Sequence, residues 1–251
     1  MSAEQPTAAQ ARTDTDQPAS EPLVSVLVAA FDEEATIERV IRAVAAQPLR
    51  SEILVVDDGS RDGTSDAVQR VSGELPGVQL IRHATNRGKG AAVRTAVAAS
   101  RGDVVVIQDA DLEYDPDDLP RLLKPILEGR ADVVYGTRLR GGEPQRAHMF
   151  WHYVGNRFLS LLTNVLYNTT ISDMEVGYKA FRGDIIRSLP LQSERFGIEP
   201  EITAKLLRRR GLRLYEIPIS YYGRTYEEGK KITWRDGVSA VFTLLRYRVR
   251  P

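Results

Sequence analysis

Cysteine is absent from this sequence of 251 residues, which excludes disulfide bonds, thiolate metal ligands and a cysteine nucleophile. A run of about 20 apolar residues, which a membrane-crossing helix needs, is also missing, and the first 22 residues lack the apolar centre of a signal peptide. The 34 basic residues balance the 34 acidic ones, so no overall field favours nucleic acid. We therefore expect a protein of a reducing compartment with no nucleic-acid partner.

The composition is otherwise that of an ordinary globular protein, with 42% hydrophobic and 27% charged residues. Residues 1–22 are rich in Ala, Thr, Gln, Pro and Asp and contain no aromatic residue, which predicts a disordered tail. We expect one domain over residues 23–235. A C-terminal amphipathic helix or tail is expected over residues 236–251.

Short β-rich runs alternate with helical patterns from residue 23 onward. Four such runs, each followed by a helical segment, lie at residues 24–28, 53–56, 78–81 and 104–107. This alternation predicts βαβ units and an α/β fold, a Rossmann-like, mostly parallel central sheet flanked by helices in a single domain. Right-handed crossovers would place the carboxyl ends of these strands on one edge.

Three acids at alternating positions, Asp109, Asp111 and Glu113, follow the fourth run. Side chains two apart on an extended backbone point the same way, so these carboxylates would repel one another without a cation. Hard oxygen ligands in an open site suit Mg²⁺ or Mn²⁺, and the pattern predicts a divalent metal there. The alternative is a solvated acidic turn before the next helix.

Two further acid pairs follow the first and second runs, Asp32 with Glu33 and Asp57 with Asp58. Ligands of open α/β sheets bind beyond the carboxyl ends of the strands, so three acid pairs would converge there; a helix cap accounts for Asp32 alone. Neither G-x-G-x-x-G after the first run nor a P-loop occurs. This disfavours a dinucleotide dehydrogenase and a P-loop NTPase, and favours a nucleotide held by metal and basic side chains.

The remaining sequence is less regular. Asn-Arg-Gly-Lys-Gly at residues 86–90 is interpreted mainly as a turn that opens a helix. Residues 149–167 carry many aromatic side chains at helical spacing, which predicts either a core helix or one facing a membrane surface or an acceptor. The other predicted elements are strands at 133–138 and 214–219, the latter an edge strand because of Pro218, and helices at 199–210 and 234–248.

Three segments resemble successive signatures of family 2 GT-A glycosyltransferases: Val-Leu-Val-Ala-Ala-Phe-Asp-Glu at 26–33, Val-Val-Asp-Asp-Gly-Ser-Arg-Asp-Gly-Thr at 55–64 and Gln-Asp-Ala-Asp at 108–111. Within that family the sequence is most similar to dolichyl- and polyprenyl-phosphate hexosyl (mannosyl or glucosyl) synthases. The likeness continues through residues 136–138, 172–174, 177–179, 217–219 and 224–230, and covers residues 23–234. It implies the GT-A fold.

The resemblance also implies roles for matching residues. Its nucleoside-binding positions fall on Ala29, Phe31, Glu33, Val56 and Asp58, and its metal–diphosphate site on Asp109, Ala110 and Asp111, with Glu113 as a supplementary ligand. Basic positions that contact phosphate fall on Arg138, Arg224 and Lys230. The usual Pro-x-Tyr-Asn-Glu signature is replaced by Ala29, Phe31 and Asp32, so a tyrosine hydroxyl is lost and the donor nucleotide, UDP or GDP, stays open.

We therefore expect an inverting hexosyltransferase that uses Mg²⁺ or Mn²⁺ and transfers a hexose from a nucleotide sugar to a polyprenyl (dolichyl-type) phosphate. Its expected catalytic residues are Asp109, Asp111, Arg138, Asp173, Arg224 and Lys230. Its expected place is the cytoplasm, peripheral at the inner face of the membrane, with a lipid acceptor there and a membrane protein as an open further partner.

Two alternatives remain. A family 2 enzyme acting on a hydroxyl of a polysaccharide or small molecule would need a general base, for which Asp173, Glu199 and Glu201 are the candidates. A protein that binds a nucleotide sugar without turnover is disfavoured by the intact Asp109, Asp111, Arg138 and Arg224.

Overall fold

The computed structural model describes residues 21–147, 149–225, 227 and 233–249. Its strands are β1 Val24–Ala30, β2 Ser51–Asp57, β3 Val78–Arg82, β4 Val104–Asp109, β5 Val133–Thr137, β6 Lys179–Arg182 and β7 Leu214–Pro218. Its helices are α1 Ile37–Ala45, α2 Thr64–Glu74, α3 Lys89–Ala99, α4 Leu119–Leu127, α5 Phe150–Tyr167, α6 Gly183–Arg187, α7 Ile198–Leu207 and α8 Trp234–Val249.

These strands form a single sheet of seven, in the order β3-β2-β1-β4-β6-β5-β7. All neighbouring pairs are parallel except the two that involve β6, which runs antiparallel to β4 and to β5. The mostly parallel sheet flanked by helices is confirmed, and β7 is an edge strand, as Pro218 predicted. Neither β6 nor α6 was predicted from the sequence. With four residues in β6 and five in α6, both elements are too short to show a clear hydrophobic period.

The core forms because the central strands are buried on both faces while the helices cover them with one face each. β2 and β4 are nearly continuous apolar runs with almost every residue buried, as expected for parallel strands between helix layers. In α1 the buried residues Ile37, Val40, Ile41 and Val44 follow the helical spacing. Each such side chain contributes roughly 1.5–3 kcal/mol by leaving water.

Helices α5 and α8 pack against each other on the outside of the domain. α8 packs against α5 and α7 and buries Ala240, Leu244 and Tyr247. α5 buries only Leu159, Ser160 and Thr163 of its 18 residues. Among the helices that the structure describes, none is both long enough and apolar enough to cross a membrane.

A carboxylate at the start of β5 connects three strands at the edge opposite the acid pairs. Asp132 accepts hydrogen bonds from the Arg213 side chain, at 3.0 and 2.8 Å, and from Arg182 at 3.3 Å. The Arg213 hydrogen bond is the largest cause of a pKa of Asp132 well below its usual range, although burial opposes it.

We expect Asp132→Asn to lower the free energy of unfolding at neutral pH. Because the pKa of Asp132 is lowered by folding, its stabilisation is complete above the unfolded-state pKa of about 3.9 and is lost as the pH falls toward the folded-state value. Urea unfolding of both proteins should therefore give a difference that is constant near neutrality and shrinks below about pH 4. A difference that grew with acid would contradict this role.

Candidate functional site

The acid pairs after β1, β2 and β4 lie on one edge of the sheet, as predicted, since these strands are adjacent and parallel. Ala29, at the end of β1, is in register with Val56 on one side and Asp109 on the other. The acids do not all face a common space, however. The two acids after β2 bind the neighbouring loops, whereas acids after β1 and β4 form a charged cluster around Arg224.

Asp57 and Asp58 have their carboxylates occupied by the protein itself. Asp57 is fully buried and accepts from the backbone N–H of Ser60 at 2.8 Å and from the Ser65 hydroxyl. Asp58 accepts from the backbone N–H of Gly88 at 2.6 Å and pairs with the His83 ring at 2.6 Å. These bonds fix the loops that precede α2 and α3.

An open cleft of about 300 Å³ lies beside these loops, lined by Gly59, Ser60, Arg82, His83 and Ala84. Val56, expected at the nucleoside, is fully buried, and Ala110, expected at the metal–diphosphate site, is 4% exposed. Their side chains therefore belong to the core, and a contact from either to a donor nucleotide would use the backbone. Ala29 and Phe31 are partly exposed at the same edge, and their roles stay predictions.

Arg224 stands at the centre of the acid cluster. Its guanidinium lies 2.6 Å from Asp111 Oδ2, 3.3 Å from Glu33 Oε2 and 3.4 Å from Glu113 Oε1. Burial and, after it, the charges of Asp109 and Glu113 raise the pKa of Asp111 to about 7, although Arg224 opposes them. Glu33, expected at the nucleoside, is thus a partner of Arg224.

The expected alignment of Asp109, Asp111 and Glu113 along an extended backbone is wrong. β4 ends at Asp109, and Leu112 takes a left-handed conformation with φ of 59°. Glu113 turns instead toward the Tyr221 hydroxyl at 2.8 Å and the Arg224 backbone N–H at 2.9 Å. Accordingly, no group of three or more acids and histidines converges on a metal position within the described part of the chain.

The charge of the cluster nevertheless fits a divalent cation. Four carboxylates, those of Glu33, Asp109, Asp111 and Glu113, face two cations, Arg224 and Lys89. Burial raises the pKa of Asp111, and the neighbouring negative charges of Asp109 and Glu113 add to that shift. Carboxylate oxygens are ligands that Mg²⁺ and Mn²⁺ prefer. Metal binding by Asp109 and Asp111, with Glu113 as a further ligand, stays a prediction.

Lys89 is a site residue that the sequence analysis missed. Its ammonium lies 2.7 Å from Asp109 Oδ1 and 3.5 Å from Glu199 Oε1. Burial would lower the pKa of Lys89, but Asp109 and Glu199 raise it above its usual value, so the side chain stays charged. The signal was present in the Asn-Arg-Gly-Lys-Gly turn, which does open α3 as predicted and also places this lysine at the end of β4.

Arg138 and Asp173 are brought together as a two-point ion pair. Arg138 Nε and Nη2 lie 2.7 and 2.8 Å from the two carboxylate oxygens of Asp173, and the Asp173 side chain is fully buried. The guanidinium also stacks 5.0 Å from the centre of the Tyr221 ring. Tyr221 touches both this pair and Glu113, so it joins the two charged groups.

Glu199 and Glu201, the other candidate bases, are each paired with a lysine of the protein. Glu199 Oε2 accepts from the buried Lys179 ammonium. Glu201 accepts from Lys205 and from two backbone N–H groups, and although burial alone would raise its pKa, these bonds lower it overall. Lys230 lies outside the described residues.

We expect Arg138→Lys to lower the free energy of unfolding by about 1–2 kcal/mol, because an ammonium keeps the charge but loses the two-point hydrogen bonding to a buried carboxylate. Arg42→Lys is the matched control, since Arg42 pairs with Glu38 and Glu74 on the surface, where such pairs matter little. Urea titrations of the three proteins measure the difference. Equal free energies of unfolding for the three proteins would show that the pair of Arg138 and Asp173 does not stabilise the fold.

Comparison with known proteins agrees with this architecture. The model of the family described as glycosyl transferase family 2 matches residues 25–189. An undecaprenyl-phosphate mannosyltransferase of Micrococcus luteus is 33% identical over 192 residues, which are 72% of this chain and 75% of that protein. A dolichol-phosphate mannosyltransferase of Pyrococcus furiosus is 29% identical over 211 residues, 82% of this chain and 58% of that protein.

Among solved structures, glucosyl-3-phosphoglycerate synthase of Mycobacterium tuberculosis, in complex with Mn²⁺, UDP and glucosyl-3-phosphoglycerate, superposes with a TM-score of 0.70. The match covers 92% of this chain and 81% of that one at 23% identity, so it supports the GT-A fold alone. The family match spans well over half of the chain. The chain belongs to glycosyl transferase family 2 and is a hexosyltransferase.

Proposed function

We propose that this glycosyltransferase moves a hexose from a UDP- or GDP-linked sugar to the phosphate of a polyprenyl lipid, with inversion at the sugar and with Mg²⁺ or Mn²⁺ at Asp109 and Asp111. The reaction would take place at the cytoplasmic face of a membrane. The relatives named as undecaprenyl-phosphate and dolichol-phosphate mannosyltransferases support this choice of acceptor.

The observation that carries the proposal is the pairing of the expected general bases. Asp173 is bound at both oxygens by Arg138, and Glu199 and Glu201 are paired with lysines. All three carboxylates are thus engaged by cations of the protein, so none is placed to take a proton from an alcohol. A phosphate acceptor is already anionic and needs no such base.

The cations of the site suit two phosphate-bearing substrates. A phosphate oxygen of the acceptor would bond to the anomeric carbon while the bond from that carbon to the diphosphate breaks, and the nucleoside diphosphate leaves with the electron pair. Lys89, beside Asp109, would balance the charge of the leaving diphosphate. Arg138 and Arg224 would orient phosphates through charge-assisted hydrogen bonds. A divalent cation, when bound, adds Lewis-acid stabilisation of the diphosphate.

The test is transfer of radiolabelled sugar from a panel of UDP- and GDP-hexoses to polyprenyl phosphate in detergent, with Mg²⁺, Mn²⁺ or a chelator. We expect label in an organic-soluble, mild-acid-labile product with one donor and only with metal. Donor turnover without labelled lipid would refute the lipid acceptor, and equal transfer in chelator would refute the metal.

One observation favours a hydroxyl acceptor as the second candidate. Burial raises the pKa of Glu175 to about 7, while Lys179 opposes this shift and Glu199 adds to it. The buried Glu175 Oε1 has no hydrogen-bond partner, so this carboxyl is able to accept a proton near neutrality. We expect Glu175→Gln to keep transfer to polyprenyl phosphate. A large loss of activity together with loss of the acidic limb of the pH profile would favour the hydroxyl acceptor.

A further inference from the structure

Exposed apolar side chains are concentrated on two helices. Of the fifteen large hydrophobic residues that are exposed in the described part of the chain, twelve lie on α5 and α8. They are Phe150, Trp151, Tyr153, Val154, Phe158, Leu161, Val165, Trp234, Val238, Phe242, Leu245 and Val249. Scattered exposed hydrophobics are normal in soluble proteins, but a contiguous group marks an interaction site.

On α5 these residues form a stripe directed away from the core. At about 100° per residue, all but Tyr153 fall within an arc of about 100°. The buried Leu159, Ser160 and Thr163 lie on the opposite side. The stripe is strongly exposed, with Trp151 79% and Val165 74% accessible, so α5 has one face in the core and a second apolar face without a partner in the described chain.

α8 repeats this arrangement. Its exposed hydrophobics recur at spacings of four, four, three and four residues from Trp234 to Val249 and fall within an arc of about 80°. Its buried residues lie opposite. The two helices touch at their C-terminal ends, where the Tyr167 hydroxyl donates to the Leu244 carbonyl at 2.7 Å and Arg248 Nε donates to the Leu166 carbonyl at 2.8 Å.

The charges around the stripes are almost all positive. Arg157 borders the stripe on α5, which has no acidic residue. Arg235 and Arg246 border the stripe on α8 on one side and Arg248 on the other, while the single acid, Asp236, bonds to Thr233 at the helix start. A two-fold dimer through this face would bring two arginine-bordered patches of the same sign together, whereas an anionic surface would complement them.

We propose that the stripes of α5 and α8, with their bordering arginines, form a docking face for a bilayer that contains anionic lipid. Aromatic residues beside arginines are the pattern of helices that lie in the membrane interface, where the rings enter the headgroup region and the cations attract anionic lipid. The need for a bilayer rests on the proposed function. The experiment below measures binding to lipid vesicles alone and does not depend on the reaction.

The docking face adjoins the catalytic site. An open groove of about 680 Å³ at the start of α5 is lined by residues that include Arg146, Phe150 and Tyr153. Arg146 donates to the Gly223 carbonyl at 3.1 Å, one residue before Arg224, and Gln145 forms a β-bridge with Tyr221. A headgroup entering from a bilayer on this face would therefore meet the segment that carries Arg224.

The test is co-sedimentation of the full chain with vesicles, either of phosphatidylcholine alone or of phosphatidylcholine and phosphatidylglycerol in equal parts, without polyprenyl phosphate. We expect binding to the anionic vesicles that weakens in high salt. Phe158→Asp and Phe242→Asp should each reduce binding by about ten-fold or more. Arg157→Gln and Arg246→Gln should each reduce it about five-fold in the anionic vesicles only.

Tyr215→Asp is the matched control, because Tyr215 is an aromatic residue that is 46% exposed but lies on the edge strand β7 and belongs to neither stripe. It should bind vesicles like the wild type. Equal loss in this control, or no vesicle binding by the wild type, would overturn the docking face. A wild-type dimer that Phe158→Asp and Phe242→Asp make monomeric would overturn it in favour of an interface between copies.

Activity in detergent separates this inference from the proposed function. Phe242→Asp should keep transfer to a short-chain polyprenyl phosphate in micelles, since the residue lies on an exposed helix face and is not part of the acid cluster. Vesicle binding without lipid glycosylation would refute the acceptor and leave the docking face standing. Lipid glycosylation without vesicle binding would refute the docking face alone.

Discussion

Asp111→Asn should lower turnover by about a thousand-fold and leave the protein folded, because the site would lose a proposed ligand of the divalent cation that offsets the negative charge developing on the leaving diphosphate. The loss falls on kcat if Asp111 acts in the transition state. Folding should be preserved, since Asp111 already lies beside Asp109 and Glu113, whose charges oppose its own. Removing one of these like charges relieves repulsion, while the lost contact to Arg224 offsets part of that gain.

Asp117→Asn is the matched control for Asp111→Asn. It removes the same charge six positions away, where the side chain is exposed and contacts Gln47. We expect wild-type turnover and an unchanged melting temperature for the control. A folded Asp111→Asn enzyme with a normal rate would remove Asp111 from the catalytic assignment.

Gly177→Ala should lower turnover by about a hundred-fold, because one added carbon would displace the Asp109 carboxylate. A Cβ at Gly177 would lie 2.7 Å from Asp109 Oδ2 and 3.2 Å from Lys89 Nζ. Misplacement of reacting groups by about 1 Å is enough for a loss of this size. Because the crowded atoms are side chains at the sheet edge, thermal unfolding should show only a modest loss of stability.

Gly73→Ala gives the comparison for the added methyl group. Gly73 lies in α2, and a Cβ there would meet no atom within 4 Å. Alanine should therefore raise the free energy of unfolding by roughly 0.5–1 kcal/mol and leave turnover unchanged. If Gly177→Ala retains the wild-type kcat, the position of Asp109 next to Lys89 does not matter for the chemistry.

The amino-terminal half of the sheet was predictable because its signals are local. β1, β2 and β4 are long apolar runs, and each helix after them carries its own period. β6 was not predictable from its four residues, since the burial of Lys179 depends on a carboxylate twenty positions away on α7. Local propensity contains no information about such a partner.

The same distinction holds for the site. The acids after the strands were identified from the sequence, but their roles depend on distant partners. Arg224 is 113 positions from Asp111, and the Arg138–Asp173 pair joins residues 35 positions apart. Asp58 was expected to bind the nucleoside, which stays a prediction; its bonds with Gly88 and His83 also make it an anchor for the loop before α3, which its position in the sequence did not reveal.

The reversed direction of β6 has a consequence for how this enzyme can diversify. Because β6 runs against its neighbours, its first residue, Lys179, lies toward the edge where β1 and β4 end, and the segment before it brings Asp173 and Gly177 to the site. Gly177 borders Asp109 and Lys89 directly. Substitutions in this segment can therefore reshape the site without touching the pairing of β1, β2 and β4, whose register holds the acid cluster in place.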